Sequence, residues 1–284
     1  MANTVLYGEE WVTKLQERLD HPTNWKEMLN VEFTNVQVIN NPYLSTTPGT
    51  QVGTRGDAYS FETFQETIEK LTIATKDIIP IFVDQADLAQ STFSRQMYWA
   101  DLQGQLINER LENRFLNEHT NWTDFGTSDI GGGGSSTSQI TVSATNIDDI
   151  IRAFKRLVNI ANGLDIAARN GLGIVWRPGD FEILEAFVQA NGFNTADMAL
   201  KNGAVAGMHY MGVDHYISND HQANHVFAGV KKVGTLGILT NTFGQVKITQ
   251  DPNLQSGIGI ISRVDYGFAW WNNYDSLYYD LNVA

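Results

Sequence analysis

Residues 146–188 read NIDDIIRAFKRLVNIANGLDIAARNGLGIVWRPGDFEILEAFV. Ile147, Ile150, Ile151, Phe154, Leu157, Val158 and Ala161 return every three or four residues, which puts them on one face of a helix. Asn146 or Thr145 stands where the cap belongs, Asp148 and Asp149 sit at the positive end, and Gly163 marks the stop. Leu172 to Trp176 reads as a strand. Pro178 opens a second helix, because a proline in the first turn forfeits no hydrogen bond; Phe181, Leu184, Phe187 and Val188 lie on one side of it, and it ends near Gly192. Helix, strand, helix is a mixed α/β unit, and the rest of the chain is read outward from it.

On the N-terminal side, Gly131 to Gly134 and the SSTS that follows form a flexible or turn-rich loop, a hinge or a surface feature. Before it, residues 84–119 read as one long helix capped by Asp84 or Asp87. Its apolar residues make two stripes: Leu88, Trp99, Leu102 and Leu106 on one, Phe93, Met97, Ile107, Leu111 and Phe115 on the other. Two stripes ask for cover on two sides, either a sheet and a second subunit or the inside of one domain. Residues 57–83 carry Tyr59, Phe61, Ile68, Leu71 and Ile73 in partly alternating, β-branched order and read as a long two-stranded excursion. Residues 1–50 begin with a short amphipathic helix, with Trp11, Leu15 and Leu19 at helical spacing, and continue as an Asn-, Thr- and Pro-rich arm with little core of its own.

On the C-terminal side, Thr195 caps a short third helix and residues 204–217 read as one extended strand interrupted by glycine. Strands at 226–231, 236–240, 245–250 and 258–266 follow, then a last aromatic one through Trp270, Trp271, Tyr278 and Tyr279. The order is arm, hairpin, long helix, α/β unit, antiparallel strands, which is an α+β pattern.

The chain has 284 residues, 19 basic against 32 acidic side chains for a net charge of −13, and no cysteine. Disulfides, thiol catalysis and thiolate metal sites are therefore excluded, and an acidic chain is ill suited to tight binding of nucleic acid. No stretch reads as a signal peptide or an apolar membrane span, so synthesis in the cytoplasm is expected. The chemical motifs fail one by one. The glycines at 131–134 precede no Lys-Ser/Thr, Gly171 and Gly173 come before a strand instead of after one, and no serine elbow is present. His209, His215, His221 and His225, with Asp214 and Asp220, are the one cluster with ligand chemistry. His221 and His225 lack the glutamate of a zinc-helix motif, and His209 and His215 are too far apart on one strand to share a metal. A His-site metalloenzyme is thus the rival reading from another class, and surface or core histidines are the expectation.

The element order is similar to that of tailed-bacteriophage major capsid proteins of the Hong Kong 97 (HK97) type. GIVWRPGDFEILEAF resembles the start of that family's axial α/β unit, MGVDHYISND and HVFAGVKKVGTLGI its axial strand and hairpin, and VKITQDPNLQSGIGIISRVDYGFAW its C-terminal strands. The resemblance implies an N-terminal arm at 1–50 and an extended β-hairpin loop at 51–83. It implies a peripheral domain with a spine helix at 84–144 and 241–268, and an axial domain at 145–240 and 269–284.

It also implies a structural subunit with no catalytic residue, cofactor or metal. Such a subunit self-assembles into hexamers and pentamers of an icosahedral head around double-stranded DNA, alongside a portal and separate scaffolding or cement proteins. Phe61, Phe64, Ile68, Ile73, Trp99, Leu102, Leu106, Gly131 and Gly134 are the expected subunit-interface residues. An encapsulin-like compartment shell is the nearest alternative, and a tail or decoration protein a further one.

Overall fold

The computed structural model describes residues 23–44, 65–84, 95–126, 130, 132–190, 207–242, 245–249 and 257–284. In chain order the elements are α1 (Asn24–Met28), β1 (Asn30–Thr34), β2 (Val38–Leu44), β3 (Glu66–Thr72), β4 (Thr75–Asp84), α2 (Arg95–Leu116), β5 (Thr123–Asp124), α3 (Ile147–Ile160), α4 (Leu164–Asn170), β6 (Leu172–Trp176) and α5 (Pro178–Ala190). They continue with β7 (Gly207–Tyr210), β8 (Val213–Ile217), β9 (His225–Val230), β10 (Thr235–Leu239), β11 (Gln245–Thr249), β12 (Gly257–Ala269) and β13 (Tyr278–Asn282). Short 3-10 turns occupy Asn117–Asn121 and Asn272–Leu277.

Three sheets result: a five-stranded one in the order β1-β10-β12-β11 with β4 on β12, a six-stranded one in the order β5-β13-β9-β6-β8-β7, and the pair β2-β3. β6 is buried along its whole length, as a central strand with both faces covered must be. α3 covers part of that sheet with Ile147, Ile150, Ile151, Phe154 and Val158, all buried, and α5 adds Phe181, Leu184 and Val188. α2 lies on the five-stranded sheet: buried Gln103 accepts a 2.5 Å hydrogen bond from Ser262 of β12, and Arg114 stands 3.7 Å from Asp77 of β4. At the C-terminal end of α2, Phe115 meets Phe227 of β9 edge to face at 5.0 Å and stacks on Trp270 at 6.3 Å, so the core is continuous from one sheet to the other.

Several expectations are corrected. Among the described residues, the excursion at 57–83 does not pair within itself. β3 pairs antiparallel with β2 from Val38↔Thr72 to Leu44↔Glu66, while β4 runs antiparallel along ten residues of β12. Residues 24–29, placed in a coreless arm, bring Trp25, Met28 and Leu29 into the core at 1% exposure each. The long helix does not start at Asp84, which ends β4; Ile107, Leu111 and Phe115 of one stripe are buried, and Leu106 of the other packs half-buried against the same core. The stretch expected as one strand over 204–217 is, over its described residues 207–217, a hairpin, with Met211 and Gly212 both at positive φ (54° and 76°), the backbone that a tight two-residue β-turn requires. β10, expected in the axial unit, pairs with β1 and β12 instead.

At the end of α3 it is Asn162, at φ 56°, that takes the left-handed cap, and the Gly163 amide closes back on the Val158 carbonyl at 2.9 Å. Gly163 is required for space: any Cβ there would run into Leu277. The helix expected at 11–19, the cap at Thr195 and its helix lie outside the described residues.

Candidate assembly surface

β2 and β3 form a ribbon whose two faces differ by residue parity, as alternation along strands demands. On the inner face, Ile39, Asn41 and Tyr43 stand opposite Leu71, Glu69 and Thr67, all at least partly covered. Leu71, 1% exposed, packs with Ile39, Ala269, Trp271 and Tyr274. The ribbon crosses the five-stranded sheet at Gly237 and Gly267, which face each other across β10 and β12. A methyl group on Gly267 would sit 2.5 Å from the Thr72 carbonyl oxygen, and one on Gly237 would sit 2.8 Å from Leu71. The paired glycines thus make a notch for the base of the ribbon. The backbone amide of Asn272, donating to the Glu69 carboxylate at 3.1 Å, and that of Ile73, donating to the Gln37 carbonyl at 2.8 Å, fix it there.

The outer face carries Val38, Asn40 and Pro42 opposite Thr72, Lys70 and Ile68, every one of them exposed. Ile68 is 57% exposed and Val38 42%; Val36 in the preceding turn and Phe33 of β1 are 58% and 56% exposed. Four exposed large apolar side chains thus fall within the ribbon or in the strand and turn that lead into it.

The expected interface residues separate accordingly. Ile68 is on the outer face. Ile73 is buried at 6% exposure and Leu106 packs on the core of its own chain, so neither faces outward. Gly134 is buried at φ 100°; its amide bonds the Ser138 carbonyl and its carbonyl accepts from the Asn282 amide. Around it, the Asp124 carboxylate accepts from the Ser136 amide and hydroxyl, and the Ser138 hydroxyl donates to the Gly132 carbonyl. The loop is a pinned turn, not a free hinge. Phe61, Phe64, Gly131 and the side chains of Trp99 and Leu102 lie outside the described residues. Val38 and Pro42 were missed, because their face becomes visible only once β2 is known to pair with β3.

The histidines do not converge. Among the described residues no three of His, Cys, Asp or Glu form a group able to hold a metal. His215 is fully buried on β8; its Nδ1 accepts from Trp176 Nε1 at 2.9 Å and its Nε2 lies 3.3 Å from the Tyr210 carbonyl, the pattern of a neutral ring. Burial lowers its pKa to about 4. His221 is likewise lowered to about 4, by burial and then by the charge of Arg177. His209 pairs with Asp214 at 2.6 Å, and His225 with Asp280 at 2.7 Å. Lys231 is the buried counter-ion of Asp214, and it also donates to the Tyr216 hydroxyl at 2.6 Å. Lys231 is therefore part of the fold, and the neighbouring Lys232 ammonium donates to the Leu29 carbonyl at 3.2 Å.

No protein-family profile and no curated protein matches the chain. Solved structures do match along the whole length. A chain of Mycobacterium phage Che8 superposes with a TM-score of 0.69 at 14% identity, covering 99% of this chain and 98% of its own. The capsid chain of a native GTA particle gives 0.68 at 14% identity, with 98% and 96% covered. The capsid of Ralstonia phage GP4 gives 0.66 at 10% identity, with 100% and 99% covered. The chain shares its mixed α+β fold with these structures, two of which are capsid chains.

Proposed function

We propose, taking that shared fold as the premise, that this chain is the coat subunit of a phage-type head. Copies join into hexamers and pentamers of a closed icosahedral shell around double-stranded DNA. The expected division into arm, extended loop, peripheral and axial parts belongs to this proposal, with the extended loop redrawn as β2 and β3. A portal and separate scaffolding or cement proteins are its further partners, and the virion is its location. The subunit performs no chemistry; its activity is self-association.

The observation that carries the reading is the contrast between the two faces of the ribbon. The inner face is notched into its own chain at Gly237 and Gly267, while Val38, Pro42 and Ile68 stand uncovered on the outer face. A two-stranded ribbon is marginal on its own, and ordering it costs entropy that its own burial does not offset. A neighbouring copy laid on that face supplies the missing burial. Each such contact is small, and closure by symmetry makes the sum strong. The charge of −13 suits a wall that encloses DNA without gripping it.

The test is the double variant Val38→Asp, Ile68→Asp, viewed by electron microscopy beside the parent chain, with circular dichroism to check folding. Both sites are solvent-exposed, so the fold is expected to survive; the parent closes into shells and the variant does not. Normal shells at normal yield from the variant would refute the role of this face. The packaged contents then separate a genome container, holding DNA, from a cargo compartment, holding protein.

A further inference from the structure

Where α2 gives way to the 3-10 turn Asn117–Asn121, His119 lies against His225, the first residue of β9, with ring centroids 3.9 Å apart and planes 27° from parallel. His119 Nδ1 is buried with no hydrogen-bond partner. His225 Nδ1 contacts Asp280 of β13 at 2.7 Å, and Asn282 donates to the same Asp280 oxygen at 3.2 Å and to Asp124 at 2.8 Å. Asp124 in turn holds Ser136 of the glycine-rich turn. A continuous set of contacts therefore runs from the end of the long helix, through the edge of the six-stranded sheet, to the 132–138 turn.

We infer that the stacked pair His119 and His225 is a proton-operated latch that fastens the end of the long helix to the six-stranded sheet and lets go in mild acid. The argument is charge counting at short range. One proton on the pair has Asp280 beside it, a carboxylate that burial raises to about 6 against the pull of His225, so this balancing charge is itself lost as pH falls through about 6. A second places two imidazolium rings face to face with their centroids 3.9 Å apart.

Other charged groups on the neighbouring elements moderate this conflict. Glu118, on the same turn, is engaged by Asn121 at 2.7 Å and by Trp270 at 3.2 Å. Asp124, on β5, is engaged by Ser136 and Asn282. Asp220 precedes His221 in the 218–224 loop. His221 and Arg177 add positive charge on the side of β6 and α5, and His225 itself disfavours charge on His221. The conflict has a visible sign: His119 is held below the ordinary histidine range by burial first and then by the charge of His225. The inference does not depend on the coat reading, because it concerns contacts within one chain.

The test is hydrogen exchange read by mass spectrometry on the full chain at pH 7.5 and pH 5.5, with rates corrected for the intrinsic pH dependence. The comparison is between the parent and His119→Phe, which keeps the ring stack and cannot take a proton. In the parent, peptides covering 117–126 are expected to exchange at least about tenfold faster at the lower pH, the change that one pKa unit of lost interaction gives. In His119→Phe their protection is expected to stay flat. Nuclear magnetic resonance of the ring protons of the parent is the second measurement, with His119 expected to titrate below a free histidine. Equal acid loosening in both proteins, no loosening in the parent, or an unperturbed titration of His119 each overturns the latch.

Discussion

Glu112 of α2 has its carboxylate inside the protein, 0% exposed. Asn24 donates to one oxygen at 2.9 Å and the Trp25 amide to the other at 3.0 Å, so one side chain ties the N-terminal helix to the long one. Asn24 also donates to the Ile217 carbonyl at the end of β8, which adds a third element to the knot. Burial raises the pKa of Glu112 from 4.5 to about 7, against the pull of these hydrogen bonds. Between those two pH values the folded chain holds a proton that the unfolded chain has released, so this group favours folding below pH 4.5 and loses that contribution as pH rises through 7.

His215 works the other way. Its contribution is complete above pH 6.5 and is lost as pH falls through about 4, because the unfolded ring accepts a proton that the folded ring refuses. The two effects oppose one another on going from pH 7 to pH 5. Glu112→Gln removes one of them, so urea denaturation should show the variant losing about 2 kcal/mol more than the parent over that step. An identical pH response in both proteins would show that Glu112 does not titrate there. Nothing in the sequence around Glu112 announces this role, since its partners lie 87 and 88 residues away.

At the scale of elements, the notch made by Gly237 and Gly267 decides where the β2–β3 ribbon can cross the sheet. Gly267→Ala should push the Thr72 carbonyl away and cost about 1–3 kcal/mol in denaturant unfolding, with fewer shells formed. Gly104→Ala is the control, because a methyl there meets nothing within 4 Å and alanine favours the helix. Equal stability of Gly267→Ala and the parent would mean that the ribbon is not seated in the notch.

Elements with a local signature were legible in advance: α3 from its apolar stripe, β6 from its short apolar run, α5 from Pro178. What escaped was pairing. β2 is interrupted by Asn40, Asn41 and Pro42, so it looked like arm, and only its alignment with β3, some 28 residues on, makes it a strand with an exposed apolar face. The Met211–Gly212 turn escaped for a related reason, because methionine at positive φ gives no compositional hint. Of the candidate interface, Ile68 was found as an apolar strand residue, while Ile73, Leu106 and Gly134 were found by residue type and turn out to serve the chain's own interior.

For the whole molecule, the apolar core is closed, while large apolar side chains stay exposed on the ribbon and, on the body, at Ile78, Ile160 and Leu164. A single apolar core joins the two large sheets through Phe115, Trp122, Phe227 and Trp270, so the body needs no partner to hold it together. The ribbon leaves Val38 and Ile68 uncovered on its outer face, with Phe33 and Val36 just before it in the chain. The most direct measurement is a reconstruction by electron cryo-microscopy of the particles that the full chain forms. The account predicts closed shells in which the outer face of β2 and β3 is covered by the body of an adjoining copy. Shells that leave Val38 and Ile68 in solvent, or a chain that stays a lone 31.7 kDa species at every concentration reached, would contradict it.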